Sequence, residues 1–530
     1  MPSPNIVGTG GNDTLVGTSG ADWITGLAGD DSLYVSSGIN TLDGGSGADT
    51  MVGGSGNDIF IVDQVGDVVI DPGGGTDTVE SSVSYVLGAN VQNIVLTGIQ
   101  TISATGNSLA NTLTASANGN DQLTAGSGIA TMIGASGTGQ DFFYVNNSND
   151  FIIAGTGPTP SIVYSSVSYT LETGLTHLVL TGSNISATGN NIANTLEAAF
   201  GNHTLIAGTG LATMKGGING YDLFIVNNTG DVVQAGISTT DTIQSSVSYT
   251  LPTGIQMLIL TGTNDDNATG NAAAHTLTAN SGNDTLTSGT GRATLIGGSG
   301  NDIYVLNNTG DVITQGSGTG SVYSSVNYTL ASGMHNLTLT GGNNITVGAN
   351  SSDDTLTATG TGLVTMIGGA GNDLFVVNNT GDVVQAASGG TNTIDSSVNF
   401  ALSTNTEILT LTGTNNISDT GNAVANTLTA NSGNDTLTAG TGLATMIGGI
   451  GNDIFVINNT GDVINATLGG TNTVKSSVNY TLGTDLQNLV LTGATALSGT
   501  GNTWTNSITC LLYTSPSPRD AHESRMPSSA

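Results

Sequence analysis

GGSGADTMV (44–52) and GGSGNDIFI (53–61) follow each other directly in the sequence and share one plan. Each unit has a six-residue Gly-rich turn that ends in an aspartate, followed by three residues with one large apolar side chain. Four earlier units repeat this plan: GTGGNDTLV (8–16), GTSGADWIT (17–25), GLAGDDSLY (26–34) and the degenerate VSSGINTLD (35–43). A tight turn and a short strand repeated at fixed length predict a solenoid.

Two kinds of residue recur on this nine-residue grid. The turns end in a carboxylate at six positions, and Asn40 fills the one gap between them: Asp13, Asp22, Asp31, Asp49, Asp58 and Asp67. One large apolar residue follows in each of the six units and is predicted to point inward: Leu15, Ile24, Leu33, Leu42, Met51 and Phe60. Stacked carboxylates repel one another unless a cation lies between them, and Gly-rich turns expose the carbonyl oxygens that calcium prefers.

The units resemble the GGxGxDxUx nonapeptides of the RTX (repeats-in-toxin) proteins, which form a calcium-binding parallel β-roll. The units 44–52 and 53–61 match every specified position, and the first three units lack only the second glycine. In this family the ion lies between the turns of units i and i+2, on one edge of the roll. The resemblance therefore implies calcium ligands at Asp13, Asp31, Asp49 and Asp67 on one edge and at Asp22 and Asp58 on the other.

A longer repeat of about 80 residues follows the first block, and its most regular copy begins at Thr420. We predict these segments: a lead-in (1–7), the nonapeptide β-roll (8–61), the rest of the first module (62–104), modules 2 to 6 (105–187, 188–268, 269–346, 347–419 and 420–499), the start of a seventh module (500–509) and a terminal segment (510–530).

The turn aspartate recurs in the modules as Asp58, Asp141, Asp222, Asp302, Asp373 and Asp453, at intervals of 83, 81, 80, 71 and 80 residues. The short interval lacks nine residues, which is one nonapeptide. If two nonapeptides make one coil, as in the RTX family, this loss is expected to exchange the two faces of everything that follows.

The later modules match the repeat less well. The resemblance implies calcium ligands at two pairs 18 residues apart, Asp284 with Asp302 and Asp435 with Asp453. The unit between the members of each pair has alanine, Ala293 or Ala444, at the aspartate position, so at most one edge is expected to bind metal there. Two pairs have longer spacings and are doubtful ligands: Asp354 with Asp373, and Asp121 with Asp141. In the third module His203 stands where the aspartate partner of Asp222 is expected, so Asp222 lacks a partner for calcium. The alternative is that these Asp and Asn residues only cap turns in a metal-free solenoid.

No segment shows a 3.6-residue apolar period, and the density of Gly and Asn disfavours helices. SSVSYTL (245–251) alternates small polar with apolar residues, as a strand does, and LVLTG (178–182) is a nearly continuous apolar strand. We therefore predict an all-β protein, an elongated right-handed parallel β-roll or β-solenoid of nonapeptide repeats grouped in modules of about 80 residues.

Composition excludes several classes of function. The chain has 38 acidic and 5 basic residues, a net charge of −33, and thus no basic patch for nucleic acid or for an anionic membrane surface. No apolar run is long enough for a transmembrane helix, and no secretory signal begins the chain. Zinc-protease and nucleophile-elbow motifs are missing from the sequence, so we expect no enzymatic activity.

The last 21 residues, CLLYTSPSPRDAHESRMPSSA (510–530), break every pattern before them. They contain the only cysteine, and we interpret them as the translation of a sequencing adapter. TGNTWTNSIT (500–509) aligns with TGNAVANTLT (420–429), the start of a module, so the natural protein is expected to continue beyond Thr509.

The sequence predicts a secreted calcium-binding repeat protein that binds several Ca2+ ions and folds on calcium outside a bacterial cell. Its role would be structural or adhesive, its partners cell-surface or extracellular matrix components, and its export by a type I exporter. The alternative is the repeat region of a larger RTX enzyme or toxin whose catalytic part is missing from this chain.

Overall fold

The structure is a computed structural model that describes residues 5–237, 240–342, 344–466, 469–493 and 496–510. In these residues it consists of short strands joined by turns, and no helix occurs that could cross a membrane. The predicted all-β class is confirmed. Of the terminal segment 510–530, only Cys510 lies within the described residues. It is the last residue of a strand and pairs with Leu491 of a neighbouring parallel strand. The interpretation of the rest concerns residues outside the described part.

The chain divides into two compact units, Met1–Leu277 and Thr278–Ala530. The strands of the first unit are β1 (Asn5–Val7), β2 (Thr14–Val16), β3 (Trp23–Thr25), β4 (Ser32–Tyr34), β5 (Thr41–Asp43), β6 (Thr50–Val52), β7 (Ile59–Val62), β8 (Val68–Ile70), β9 (Thr78–Ser81), β10 (Tyr85–Val86), β11 (Asn93–Leu96), β12 (Ser103–Thr105), β13 (Asn111–Thr114), β14 (Gln122–Thr124), β15 (Ala130–Ile133), β16 (Phe142–Val145), β17 (Phe151–Ile153), β18 (Ile162–Ser165), β19 (Tyr169–Thr170), β20 (His177–Leu180), β21 (Ser186–Thr188), β22 (Asn194–Glu197), β23 (Thr204–Ile206), β24 (Ala212–Lys215), β25 (Leu223–Val226), β26 (Val232–Gln234), β27 (Thr242–Ser245), β28 (Tyr249–Thr250), β29 (Met257–Leu260), β30 (Asn267–Thr269) and β31 (His275–Thr278), which ends one residue past the division.

The strands of the second unit are β32 (Thr285–Thr287), β33 (Ala293–Ile296), β34 (Ile303–Leu306), β35 (Val312–Thr314), β36 (Ser321–Ser324), β37 (Tyr328–Thr329), β38 (Asn336–Leu339), β39 (Ile345–Gly348), β40 (Thr355–Ala358), β41 (Val364–Ile367), β42 (Leu374–Val377), β43 (Val383–Gln385), β44 (Thr393–Ser396), β45 (Phe400–Ala401), β46 (Ile408–Leu411), β47 (Ser418–Thr420), β48 (Asn426–Thr429), β49 (Thr436–Thr438), β50 (Ala444–Ile447), β51 (Ile454–Ile457), β52 (Val463–Asn465), β53 (Thr473–Ser476), β54 (Tyr480–Thr481), β55 (Asn488–Leu491), β56 (Gly499–Thr500) and β57 (Ser507–Cys510).

Each unit is a parallel β-solenoid in which a strand pairs with the next strand but one. In the first unit β1-β3-β5-β7-β9-β11-β13-β15-β17 form one parallel sheet, and β10-β12-β14-β16-β18-β20-β22-β24-β26 form another. In the second unit β45-β47-β49-β51-β53-β55-β57 form a sheet of the same kind. Two consecutive strands therefore make one coil, as the nonapeptide repeat predicts.

The core is a stack of single inward side chains. In the first block Ile24, Leu42 and Phe60 lie in register on β3, β5 and β7, and all three are fully buried. Leu33 and Met51 are stacked in the same way on β4 and β6. Fully burying a side chain of this size contributes about 1.5–3 kcal/mol to stability. Because every coil adds such side chains to the stack, a strand of three residues is long enough to contribute to the core.

The loss of one nonapeptide does change the face, but relative to a full module that itself exchanges the faces, which was not predicted. In the first unit the strand after the turn aspartate is β7, then β16, then β25, and each step spans nine strands. Because consecutive strands lie on opposite faces of a coil, a full module exchanges the faces. In the second unit β34 and β42 are eight strands apart and share one sheet, whereas β51 belongs to another. The short interval therefore preserves the face, and the full module exchanges it.

The reason for the odd count lies in SSVSYTL (245–251), which is not one strand. β27 ends at Ser245, whose buried hydroxyl donates to the Val247 carbonyl at 2.6 Å, and only Tyr249–Thr250 remain as β28. This segment thus holds a strand end, a tight turn and a second short strand. β26 ends one sheet and β28 begins another, and the Tyr249 hydroxyl crosses the gap by donating to the Asp231 carbonyl at 3.1 Å.

One carboxylate lies in the core instead of at a turn. Asp419 is the middle residue of β47 and is fully buried, where the equivalent strands β12, β21 and β30 carry Ala104, Ala187 and Ala268. Among the described residues neither oxygen of Asp419 has a hydrogen-bond partner. Burial, and after it the negative charge of Asp435, raises the pKa of Asp419 to about 8.

We expect Asp419→Ala to stabilise the protein, and to do so more strongly at higher pH. Asp419 ionises near pH 4 in the unfolded chain, as an ordinary aspartate at about 3.9 does, but only near pH 8 in the folded chain. The wild type therefore loses about 1.4 kcal/mol per pH unit across this window, and the loss is complete above it. Urea unfolding of both proteins at pH 5 and pH 8 in calcium-containing buffer measures the difference. Ala268→Asp is the matched reciprocal variant and should introduce the same pH dependence. Equal gains at both pH values would contradict the prediction.

Candidate calcium sites

The turn aspartates form hydrogen-bonded rows along the edges of the solenoid. On one edge of the first block Asp31 Oδ1 accepts the Asp13 N–H at 2.6 Å, Asp49 Oδ1 accepts the Asp31 N–H at 2.7 Å and Asp67 Oδ1 accepts the Asp49 N–H at 3.0 Å. Asp13, Asp31, Asp49 and Asp67 precede β2, β4, β6 and β8, which form one sheet. The structure thus brings these four residues together on one edge, as predicted.

The other edge has the same pattern with an amide in the middle. The Asp22 N–H donates to Asn40 Oδ1 at 3.0 Å, and the Asn40 N–H donates to Asp58 Oδ1 at 2.9 Å. The Asn40 side chain also donates to Asp58 Oδ1 at 2.9 Å. Asn40 therefore separates the two carboxylates of this edge and reduces their repulsion, so this edge carries less negative charge to be neutralised by a cation.

The turns differ in what the second carboxylate oxygen does. Asp22 Oδ2 accepts the Thr18 N–H at 2.6 Å and Asp58 Oδ2 accepts the Gly54 N–H at 3.1 Å, in each case from four residues earlier in the same turn. Asp31 Oδ2 and Asp49 Oδ2 are buried and have no hydrogen-bond partner. In these two turns the residue four positions earlier, Leu27 or Gly45, has a positive φ of 80° or 79°.

Unpaired buried carboxylates favour a proton or a cation. Burial raises the pKa of Asp49 to about 6, the Asp31 N–H opposes this rise, and the negative charges of Asp67 and Asp31 add to it. Asp49 is therefore mostly ionised at neutral pH, and the negative charge on its unpartnered oxygen favours a bound cation.

The space around these oxygens is kept open by glycine. A Cβ on Gly26 would overlap Asp31 Oδ2, and a Cβ on Gly44 would overlap Asp49 Oδ2. The donors available are carboxylate and backbone carbonyl oxygens, which suit the six to eight oxygen ligands of calcium. In the described residues no three His, Cys, Asp or Glu side chains come together as a metal group. A calcium ion here would be held by Asp31 and Asp49 together with turn carbonyls, and the residues present fit that ion.

The predicted sites of the later modules have a different environment. The Asp284 N–H donates to Asp302 Oδ1 and the Asp435 N–H to Asp453 Oδ1, both at 3.0 Å. The second oxygens of Asp302 and Asp453 each accept a turn N–H at 2.8 Å, from Gly298 and Gly449. The pairs are brought together as predicted, but their oxygens are already capped by the protein. Calcium at these four aspartates stays a prediction, and the turn-capping alternative has direct support in the geometry.

The longer spacings do not interrupt the hydrogen-bonded row, and whether calcium binds at these pairs stays a prediction. The Asp354 N–H donates to Asp373 Oδ1 at 3.1 Å and the Asp121 N–H to Asp141 Oδ1 at 3.3 Å, across 19 and 20 residues. The strands stay in parallel register, so the one or two extra residues lie in the turns between them. Even His203 keeps the row intact, since its backbone N–H donates to Asp222 Oδ1 at 2.9 Å.

Sequence reasoning missed several members of these rows. The Ala293 and Ala444 N–H groups donate to Asp311 and Asp462 at 2.8 and 3.0 Å, so the alanine units are still part of a row. In the first block Asp77 continues the edge of Asp58, whose N–H donates to Asp77 Oδ1 at 2.7 Å. For Asp77 the signal was a Gly-rich turn ending in aspartate one coil after Asp58, hidden by one inserted residue. For Asp311 and Asp462 it was the recurring NNTGD turn, whose aspartate stands 18 residues after the alanine.

The RTX calcium-binding nonapeptide repeat, a family model of four copies, matches residues 7–42, 26–60, 34–69, 135–158, 260–295, 278–313 and 420–455. Together these stretches make up about one third of the chain. They include all ten aspartates predicted as ligands, whereas Asp222, Asp354 and Asp373 lie outside every match. The predicted resemblance is confirmed, and the chain carries RTX calcium-binding repeats. No curated protein matches the chain.

We expect Asp31→Ala to raise the calcium concentration at the midpoint of folding several-fold, because Asp31 has row partners on both sides and a free buried oxygen. Asp222→Ala is the control. Both oxygens of Asp222 accept N–H groups, from His203 and Gly217, and removing it should leave the calcium midpoint almost unchanged. Circular dichroism at increasing calcium concentration measures both midpoints. Equal shifts would refute the assignment of Asp31 as a ligand.

Proposed function

We propose that this chain, which carries RTX calcium-binding repeats, is a secreted protein that folds by binding several calcium ions outside the cell. The observation that carries the proposal is the pair of buried, unpartnered carboxylate oxygens on neighbouring coils, at Asp31 and Asp49. In the absence of a cation these charges repel each other inside the protein. In calcium they become ligands, so the ion contributes directly to folding.

The charge of the chain supports folding outside rather than inside a cell. At a net charge of −33 the compact state is opposed by self-repulsion unless cations are bound. Calcium sites of extracellular type have dissociation constants of roughly 10⁻⁴ to 10⁻³ M, so they would be empty in a cytosol and filled outside. Each site filled at about 100 times its dissociation constant adds about 2.7 kcal/mol to stability.

In this proposal the solenoid itself is the functional product, with a structural or adhesive role and no catalytic activity. Its partners would be cell-surface or extracellular matrix components. The regular outward rows of small polar residues support this role, since they form a repetitive surface. In the first unit, for example, Thr195 and Thr213 lie in register on β22 and β24. The absence of cysteine from residues 1–509 suits a protein that relies on metal rather than disulfides in an oxidising medium.

We expect residues 1–509 to be largely unfolded or loosely ordered in excess chelator and to gain a β spectrum when calcium is added. The reason is that the free carboxylate oxygens of the first block are neutralised only by the ion. Far-UV circular dichroism during a calcium titration measures this, with magnesium as the control cation because its smaller, stricter coordination shell fits these turns poorly. A full β spectrum in chelator that calcium leaves unchanged would contradict the proposal.

Secretion can be tested through the terminal segment. If residues 510–530 are an adapter translation, they supply no export signal for a type I exporter, and neither the 530-residue chain nor residues 1–509 should appear in the medium of a host that has such an exporter. Attaching a C-terminal export signal that this host recognises should bring both into the medium. Export of the 530-residue chain that is lost on removing residues 510–530 would contradict the adapter interpretation. Retention of both chains despite the added signal would count against type I secretion.

A further inference from the structure

The turn Asp71-Pro72-Gly73-Gly74-Gly75-Thr76-Asp77 lies just beyond the last RTX match of the first block, which ends at residue 69. Here Gly73 stands four residues before the turn aspartate, the position whose N–H caps the second oxygen in other turns, as Gly54 does for Asp58 at 3.1 Å. The Gly73 N–H instead donates to Asp71 Oδ1 at 3.1 Å. The extra aspartate takes the donor that Asp77 would otherwise use.

Both carboxylates are consequently buried with an oxygen to spare. Asp71 is 3% exposed and Asp77 is 0% exposed. Asp77 Oδ1 accepts the Asp58 N–H at 2.7 Å, but Asp77 Oδ2 and Asp71 Oδ2 have no hydrogen-bond partner. The two carboxyl groups are close neighbours. Burial raises the pKa of Asp77 to about 6, the Asp58 N–H opposes this rise, and the Asp71 carboxyl adds to it.

Two neighbouring buried acceptors without a donor between them need a positive charge. Two unit charges about 4 Å apart repel by about 4 kcal/mol at the effective dielectric constant of a protein surface, and more deeper inside. Gly53 of the preceding coil leaves room on the side of this pair, because a Cβ there would lie 3.2 Å from Asp71 Oδ1. Hard carboxylate oxygens in a Gly-rich turn suit calcium better than a soft or nitrogen-seeking metal.

The third module provides a natural comparison. Its turn has the same length, from Ala235 in place of Asp71 to Asp241 in place of Asp77. Asp241 likewise accepts the N–H of the preceding coil, from Asp222 at 3.0 Å, but its carboxylate is also hydrogen-bonded by the Gly236 N–H of its own turn. The position of Gly236 is taken by Pro72 in the turn 71–77, and proline has no N–H to donate. Without this cap, and with the second carboxylate of Asp71 in the turn, an oxygen of Asp77 is left over.

We propose that the turn 71–77 is a calcium site of its own, held by Asp71 and Asp77 of one turn rather than by two aspartates of successive coils. The inference rests on the proposed function, because it assumes that the chain meets calcium at concentrations that fill the first block. It adds to that function an ion at the end of the block, where the nonapeptide pattern gives way to the longer modules.

The test counts bound calcium by flow dialysis with radioactive calcium at saturating concentration and pH 7.4, on the full chain and three variants. Asp71→Ala should bind one ion fewer than the wild type. Asp77→Asn, which replaces the second carboxylate of the pair by an amide, should also bind one ion fewer. Asp241→Asn is the control and should leave the count unchanged. Far-UV circular dichroism in the same buffer establishes that each variant is folded.

The outcomes separate this proposal from the proposed function. If the wild type binds several ions but Asp71→Ala binds the same number, the turn is not a site and the calcium-driven fold stands. If Asp71→Ala binds as much calcium as the wild type but one proton fewer at pH 5, the pair shares a proton instead of an ion, and the proposal is overturned. If the wild type binds no calcium, the proposed function itself fails. Should Asp71→Ala not fold, an unchanged count in folded Asp77→Asn overturns the proposal by itself.

Discussion

The hydrogen bond from a turn N–H to the aspartate one coil later is the interaction on which the whole structure depends. It fixes the rise of the chain, because the donor and the carboxylate must meet across one coil whether 18, 19 or 20 residues separate them. It also requires the carboxylate to be buried against the preceding turn, which forces glycine where a Cβ would overlap an oxygen, as at Gly26 and Gly44. The short strands follow, since three residues suffice to carry one apolar side chain from turn to turn.

This constraint creates two kinds of turn. Where an N–H of the same turn caps the second oxygen, as at Asp58 or Asp453, the protein is electrostatically self-sufficient and the aspartate is a structural residue. Where the cap is missing, as at Asp31 and Asp49, a buried acceptor is left over and the protein depends on its surroundings for charge. The same sequence signature, a Gly-rich turn ending in aspartate, therefore supports two chemical roles. Backbone conformation at one residue, such as the positive φ of Gly45, accompanies the difference.

Much of this could be predicted from the sequence, because periodicity is a property of the chain that survives folding unchanged. The nine-residue grid placed Asp13, Asp31, Asp49 and Asp67 on one edge, and the structure has them there. The sequence could not predict which oxygens are capped, since that depends on N–H directions within turns. The strand count failed for a related reason. The serine-bonded turn after Ser245 is too short to be seen as a boundary, so two strands were read as one and the parity of every full module was missed.

The odd number of strands per full module has a consequence for recognition. In the first unit a feature borne by β16 of one module is borne by β25 of the next, and these strands face opposite ways. A partner that recognises a module would therefore meet neighbouring copies from opposite sides. Such a chain is suited to bridging two partners rather than to binding one partner at several sites. The eight-strand interval in the second unit reverses this locally, because β34 and β42 share a sheet. Those two modules are the pair that could bind a single surface with the gain in avidity that tethered sites provide.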